Sequence, residues 1–448
     1  MSHSKVFYRN LNWDYPQVSH ADGLSIWDES GKEYSDYSGG AFVNCVGHGC
    51  SELIDALTRQ LYNVSYVNGL HFSSKALEEY AQCIADISPG KLNKTLIFSS
   101  GSEAIEAAAK ITLQIQKIRG FKRKHQFIAR SPGYHGNTFM ALSLSGRKSY
   151  QKEFSGNLYP VEFVETPHEF FFDGDWQSQA SDYYYQQFVD KVNSMGAENI
   201  AGFFFEPMSA SSAACSGTPE NLLLKIQKFC REKDILMIAD EVACGAGRSG
   251  KYFASEQEGL EPDLLCLGKS VNAGIIPASV LLCSDEIFED YRKNNLNLSP
   301  AQTFMQSPSQ AACVLEVFKY VHKKDLIAKV RSESTSLISG LREKLLKHEH
   351  VACVQGKGFL IGIELMKNTQ EKTSFDRERK VIERFHEFAF KSGFIFWSAA
   401  GQRVDCSGDS IILAPPFTTT KKEQKTLVTR LDELLGEFFE KEYRWKKY

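Results

Sequence analysis

At 448 residues the chain is too long for one small core and reads as two or three domains, with 42% apolar and 24% charged residues to fill and cover a large interior. Its 52 basic and 55 acidic residues leave a net charge of −3 and no concentrated basic field for nucleic acid or a membrane surface, so small-molecule partners are expected. The 11 cysteines, from Cys45 to Cys406, contain no C-x-x-C pair, which argues against zinc fingers and a disulfide framework and for reduced thiols in the cytoplasm. The opening MSHSKVFYRNLNWDYPQ lacks the apolar core of a signal peptide, and no apolar run approaches membrane-spanning length.

In chain order, strands are expected at residues 95–99, 127–130, 200–206, 235–240, 263–267 and 278–283. Runs such as AGFFFE and ILMIAD are continuously apolar, as strands buried on both faces are. Helical patterns at 103–117 and 221–232 lie between them, so an α/β fold with a mainly parallel sheet wrapped by helices is predicted. The aromatic and polar stretch HEFFFDGDWQSQASDYYYQQF, residues 168–188, reads as a surface insertion. From about residue 310 the pattern shifts to long helices and two late strand-like runs, GKGFLIGIEL and SIILAPPF. A last helix opens on the capping-box spelling Thr420-Lys421-Lys422-Glu423, with Leu427, Leu431, Leu434, Leu435 and Phe438 at helical spacing.

Three glycine signals compete for the phosphate chemistry. DLLCLGKSVNAG, residues 263–274, ends like a P-loop, but the required first glycine is Asp263, so no nest of N–H groups can form there. GAGRSG, residues 245–250, matches a dinucleotide fingerprint letter for letter, yet four residues separate it from the preceding strand and KYFASEQEGL is a poor crossover helix. In IFSSGSEAIEAAAKI, residues 97–111, a strand runs into Ser-Gly-Ser and a helix. Gly101 permits close approach, Ser102 offers its N–H and hydroxyl, and the helix start carries free donors. Ser100-x-x-Glu103 is equally readable as a capping box alone.

Asp240 closes the strand ILMIAD and Lys269 follows the next apolar run, so both fall at carboxyl ends of strands, where open α/β sheets bind ligands. Taken singly, Asp240 is also readable as a cap or a surface acid. Together, a strand-end acid, a strand-end lysine and a phosphate-type helix start fit pyridoxal 5′-phosphate, which needs an amine, an acid for its ring nitrogen and fixed donors for its phosphate. Tyr134 in SPGYHGNT could stack on the pyridine ring.

With these residues in place the sequence resembles the class III aminotransferases, pyridoxal-phosphate enzymes of fold type I. The likeness runs through GLSIWDESGKEYSDYSGG, VNCVGHG, SGSEAIEAAAKI, YHGNT, FFEP, ADEVACGAGRSGKYFA, PDLLCLGKS, QTFMQSPSQAA, GKGFLIGIEL and GDSIILAPPF. It implies a large cofactor-binding domain over residues 56–310 and a smaller α+β domain from residues 1–55 and 311–448. It also implies that Lys269 is the Schiff-base lysine and Asp240 the ring-nitrogen partner. Gly101 and Ser102 would bind the phosphate, Tyr134 and Val242 would take the two ring faces, and Glu206 would lie near the ring hydroxyl. Thr303 would donate to the phosphate of a neighbouring subunit's cofactor in a homodimer. The reaction implied moves an amino group from an amino acid or amine to a 2-oxo acid. Decarboxylases, racemases and aminomutases share the same cofactor residues, and a scaffold that keeps the fold without catalysis is a further alternative.

The chain also departs from the pattern. Ile412 stands where many members carry an arginine for the substrate carboxylate, and an isoleucine makes no bidentate pair. Arg403 in GQRVDCSGD is the candidate replacement, with Phe42 a further candidate on the substrate side. SVNAGIIP after the lysine lacks the usual glycine-rich run, and Ala246 stands where phenylalanine is common.

Overall fold

The unbroken apolar runs become the middle of a seven-stranded sheet, ordered Lys94–Phe98, Ser279–Cys283, Leu264–Leu267, Leu236–Glu241, Ile200–Phe205, Gln126–Ser131, Val161–Glu165. The structure, a computed structural model, describes residues 4–443. Neighbouring strands are parallel except Ser279–Cys283, which is antiparallel to both of its neighbours. Ile200–Phe205 and Leu236–Glu241 are buried along their whole length. Alternate residues serve opposite faces: Phe203, Phe205, Met237 and Ala239 enter one apolar cluster, and Phe204, Leu236 and Ile238 the other. A strand flanked by helices on both sides therefore has no polar face to show, which is why these runs do not alternate.

Helix Gly101–Ile118 covers one face, its start closed by a capping box between Ser100 and Glu103 and its buried stripe made largely of Ala and Ile. On the other face lie Trp176–Met195 and Leu222–Glu232. The first of these corrects the expectation for residues 168–188. Most of that segment is not a surface insertion but the start of the crossover helix that links the strands Val161–Glu165 and Ile200–Phe205. Asp175 caps it by accepting the Ser178 N–H at 2.8 Å. Ala180, Tyr184, Phe188 and Val192, spaced every four residues, are its buried stripe, and the Phe188 ring sits 4.8 Å from that of Phe203. Tyr and Gln between those positions blur the periodicity in the sequence.

Two smaller sheets complete the fold. One is Val18–Asp22, Ser25–Asp28, Glu33–Asp36 and Phe394–Ile395; the other is Val351–Lys357, Leu360–Leu365, Asp409–Leu413 and Trp397–Ala400. A single apolar cluster joins residues from both parts of the chain, from Leu24 and Tyr37 to Phe385, Leu413 and Leu431. Helix Lys421–Glu437 carries the capping box read from the sequence, and Leu427, Leu431, Leu434 and Leu435 are buried. All 11 cysteines are unpaired. Among the described residues no helix is long and apolar enough to cross a membrane.

Candidate active site

The carboxyl edge of the large sheet gathers residues far apart in sequence. Asp240 pairs with Cys266 and Glu241 with Leu267, so the chain leaving the strand Leu264–Leu267 reaches Lys269 beside Asp240. Lys269 opens a short 3-10 turn with φ +48°, a left-handed backbone uncommon for a side-chain-bearing residue. A Cβ on Gly268 would come within 2.9 Å of Val242, and the same holds at Gly101, so both turns close on Val242 only because they are glycines. Burial pushes the Lys269 amine below its ordinary pKa, against the opposing pull of Asp240 and Glu206. The Lys269 Nζ lies 5.6 Å from the centre of the Phe42 ring.

Asp240 is held from two sides. Its Oδ2 lies 2.7 Å from His135 Nδ1, and its Oδ1 accepts the Val242 N–H at 3.0 Å. Both side chains are buried. Burial alone would lower the His135 pKa, but Asp240 and Glu206 outweigh it and hold it above the ordinary value. Because Nδ1 faces a carboxylate it carries the proton, and His135 Nε2 is buried with no partner among the described residues. The motif YHGNT drew attention to Tyr134; the role of its His135 was not legible without the fold, since Asp240 lies more than a hundred positions away.

The turn after the strand Gln126–Ser131 supplies the neighbouring groups. Glu206 Oε2 accepts the Tyr134 N–H at 3.3 Å and the Ser212 hydroxyl at 2.9 Å. Burial raises the Glu206 carboxyl pKa, partly offset by His135. The Tyr134 ring meets that of Tyr150 edge-on at 5.9 Å. Ser102 Oγ accepts the Asn137 N–H at 3.1 Å. The Glu103 carboxylate takes the N–H groups of Ser99 and Ser100, and the N–H groups of Gly101 and Ser102 meet no acceptor among the described residues. Free donors of this kind at a helix start are suited to an anion.

Phe42, buried and with φ +66°, stands against Trp397 at 5.5 Å, and both belong to an apolar group with Ile412. Its carbonyl is clamped by Ser270 Oγ at 3.2 Å and by Arg248 Nη2 at 3.3 Å. Arg248, from GAGRSG, also donates to the carbonyls of Pro415 and Phe359, so that loop fastens the sheet edge to the smaller sheet. Arg403 faces a different cleft, lined by Lys372, Ser374, Arg379 and Asp405 among others; its guanidinium lies 4.0 Å over the Phe171 ring and 3.4 Å from Ser374 Oγ. Thr303 is exposed in a turn whose carbonyl accepts the Tyr66 hydroxyl at 2.8 Å.

Comparison with known proteins follows the same lines. The family model for aminotransferase class-III matches residues 10–435. An uncharacterized aminotransferase of Bacillus subtilis is 32% identical, with 95% of this chain and 96% of that one covered. A putrescine–pyruvate aminotransferase of Pseudomonas aeruginosa is 29% identical over 94% and 91% of the two chains. The crystal structure of a thermostable (S)-enantioselective omega-transaminase from Thermomicrobium roseum superposes with a TM-score of 0.91 at 26% identity, covering 97% of this chain and 96% of that one. An omega-transaminase from Pseudomonas jessenii in complex with PMP gives 0.87 at 27% identity, covering 94% and 92%. The chain belongs to the class III aminotransferases, a family dependent on pyridoxal phosphate.

Proposed function

We propose that this aminotransferase moves the amino group of an amine or amino acid to a 2-oxo acid, pyruvate or 2-oxoglutarate, with pyridoxal 5′-phosphate carried on the Lys269 amine. The observation that supports this most is the meeting of Lys269 with the His135–Asp240 pair, closed at 2.7 Å, at the carboxyl edge of the sheet. The site's own chemistry suits the group. Unaccepted N–H groups at Gly101 and Ser102 suit a phosphate, an acid fixed by His135 and by the Val242 N–H suits a ring nitrogen, and Tyr134 and Val242 suit the two faces of the ring. Glu206 would lie on the ring's hydroxyl side, and Thr303 would reach the phosphate held by a partner subunit.

When bound, the cofactor supplies a sink for the electron pair released at the donor's α-carbon. The chain supplies the rest. Burial lowers the amine pKa of Lys269, which favours the neutral form that can take and return the donor's α-proton. His135 keeps Asp240 oriented, and the half-buried Trp397, packed on Phe42 and Ile412, offers apolar surface suited to the donor's side chain. Over a full cycle one C–N becomes C=O and the other C=O becomes C–N, so neither oxidant nor reductant is consumed. The names of the putrescine–pyruvate and omega-transaminase relatives favour an amine donor.

A homodimer is part of this reading. Tyr62, Leu70, Phe72 and Phe304 leave large apolar surfaces exposed around Tyr66 and Thr303. A cytoplasmic location is supported by eleven unpaired thiols. The test is a half-reaction of the cofactor-loaded protein with single amines. Transamination gives the aminated cofactor and a carbonyl product; carbon dioxide, or an inverted donor with neither product, would instead assign a decarboxylase or a racemase. Sedimentation at equilibrium tests the dimer.

A further inference from the structure

Arg147 is a buried cation with no anion beside it among the described residues. Its side chain lies at the start of the short helix Lys148–Gln151 and is 3% exposed. Nη2 donates to the Ala400 carbonyl at 2.6 Å, the guanidinium carbon lies 4.0 Å over the Tyr150 ring, and Nε is buried with no acceptor. Among the described residues no carboxylate lies within ion-pair distance of it. Its charged neighbour is Arg9, a like charge that, with burial, pulls its pKa down while Tyr150 and Tyr134 oppose.

Two other buried arginines are better served. Arg248 donates to three carbonyls and lies near the Ser270 hydroxyl, and Arg130 donates to the Glu206 carbonyl and Thr218 within the field of Glu206 and Glu258. A guanidinium taken out of water with one carbonyl and a ring for company is strongly unfavourable unless an anion joins it. Its surroundings are those of the active site. Ala400 ends the strand Trp397–Ala400, and Trp397 stands against Phe42 beside the Lys269 amine. On the other side Tyr150 meets Tyr134, whose N–H is held by Glu206.

We propose that Arg147 anchors the carboxylate of the 2-oxo acid acceptor, and of an amino-acid donor, in place of the arginine that Ile412 lacks. This rests on the aminotransferase reading of the same site. The guanidinium fork matches a carboxylate in two hydrogen bonds, and the Tyr150 ring beneath fixes its plane. A donor amine without a carboxylate leaves the anchor unused and meets the apolar surface of Trp397, which packs on Phe42 and Ile412.

The test compares pyruvate with propanal, an acceptor without a carboxylate, on the cofactor-loaded enzyme with one amine donor. In Arg147→Gln the ratio of kcat/KM for pyruvate to that for propanal falls about 100-fold, the loss of a charge-assisted bidentate pair, and Arg147→Lys restores part of it. Calorimetric binding of propionate supplies a readout without turnover: its Kd weakens by a similar factor in Arg147→Gln. An equal loss for both acceptors assigns Arg147 a structural role and overturns the proposal. So does a ratio that falls in Arg403→Gln and not in Arg147→Gln. If propionate binds through Arg147 while no amine is converted, the anchor stands and the aminotransferase reading of the site is what fails.

Discussion

Replacing His135 by leucine removes one of the two groups that hold Asp240. The carboxylate keeps the Val242 N–H at 3.0 Å and loses the imidazole at 2.7 Å, in a place where both side chains are almost wholly out of water. A charge-assisted hydrogen bond of this kind contributes roughly 1.5–3 kcal/mol. At about 1.4 kcal/mol per factor of ten, that is a loss of roughly 10–150-fold in whatever Asp240 orientation controls. His135→Leu is therefore expected to weaken cofactor binding, read by titrating the apoprotein with pyridoxal phosphate, and to slow the half-reaction with an amine. His135→Asn keeps an N–H donor near the place of Nδ1 and recovers part of both. Because Nε2 has no partner among the described residues, removing the ring's other nitrogen is expected to add no further loss. Equal damage by Leu and Asn, or none by either, would refute the positioning role of His135.

Phe188→Ala is expected to destabilise the protein by about 3–5 kcal/mol, as for other buried phenylalanines, because it empties the contact with Phe203 beneath the crossover helix; a thermal midpoint unchanged from the parent would contradict the buried placement of that helix. Gly136→Ala is expected to abolish most cofactor binding, since φ is +135° and a Cβ would come within 2.9 Å of the Ser102 Cβ; undiminished binding in a titration would contradict the geometry of the helix start. Glu364→Gln tests a buried acid in the small sheet, whose carboxyl is pushed from 4.5 to about 7 by burial, with Ser410 opposing. Between those pH values the folded chain keeps a proton that the unfolded chain has released, so this group's contribution to stability falls as pH rises through the window. The stability of Glu364→Gln relative to the parent is thus expected to grow by about 3 kcal/mol from pH 4.5 to 7 and then level off; a gap independent of pH, read from thermal midpoints, would contradict it.

Much of the large sheet is legible in the sequence because strands buried on both faces leave continuous apolar runs such as AGFFFE and ILMIAD. The edge strand Val161–Glu165 was not legible, for its half-exposed residues alternate with glutamates and it is recognised only by pairing with Gln126–Ser131. The crossover helix was missed for a related reason: its stripe is one residue in four, half of it aromatic, and Tyr183 and Tyr185 beside Tyr184 erase the contrast between faces. Spacing was enough to exclude the P-loop, and Gly268 and Lys269 indeed form no nest, since Gly268 is extended and Lys269 alone turns left-handed. The partners that give Asp240 and Arg147 their meaning could not be read the same way. His135–Asp240 spans two strands' ends, and Arg147 stands out only because no acid among the described residues meets it, which no local pattern records.

The most direct test of the account is to load the protein with pyridoxal phosphate, reduce it with borohydride, digest it and map the modified lysine. The account predicts one pyridoxyl-lysine, at Lys269, and a protein carrying Lys269→Ala that retains no reducible cofactor. A label on any other lysine, or a saturated protein that takes none, would contradict it.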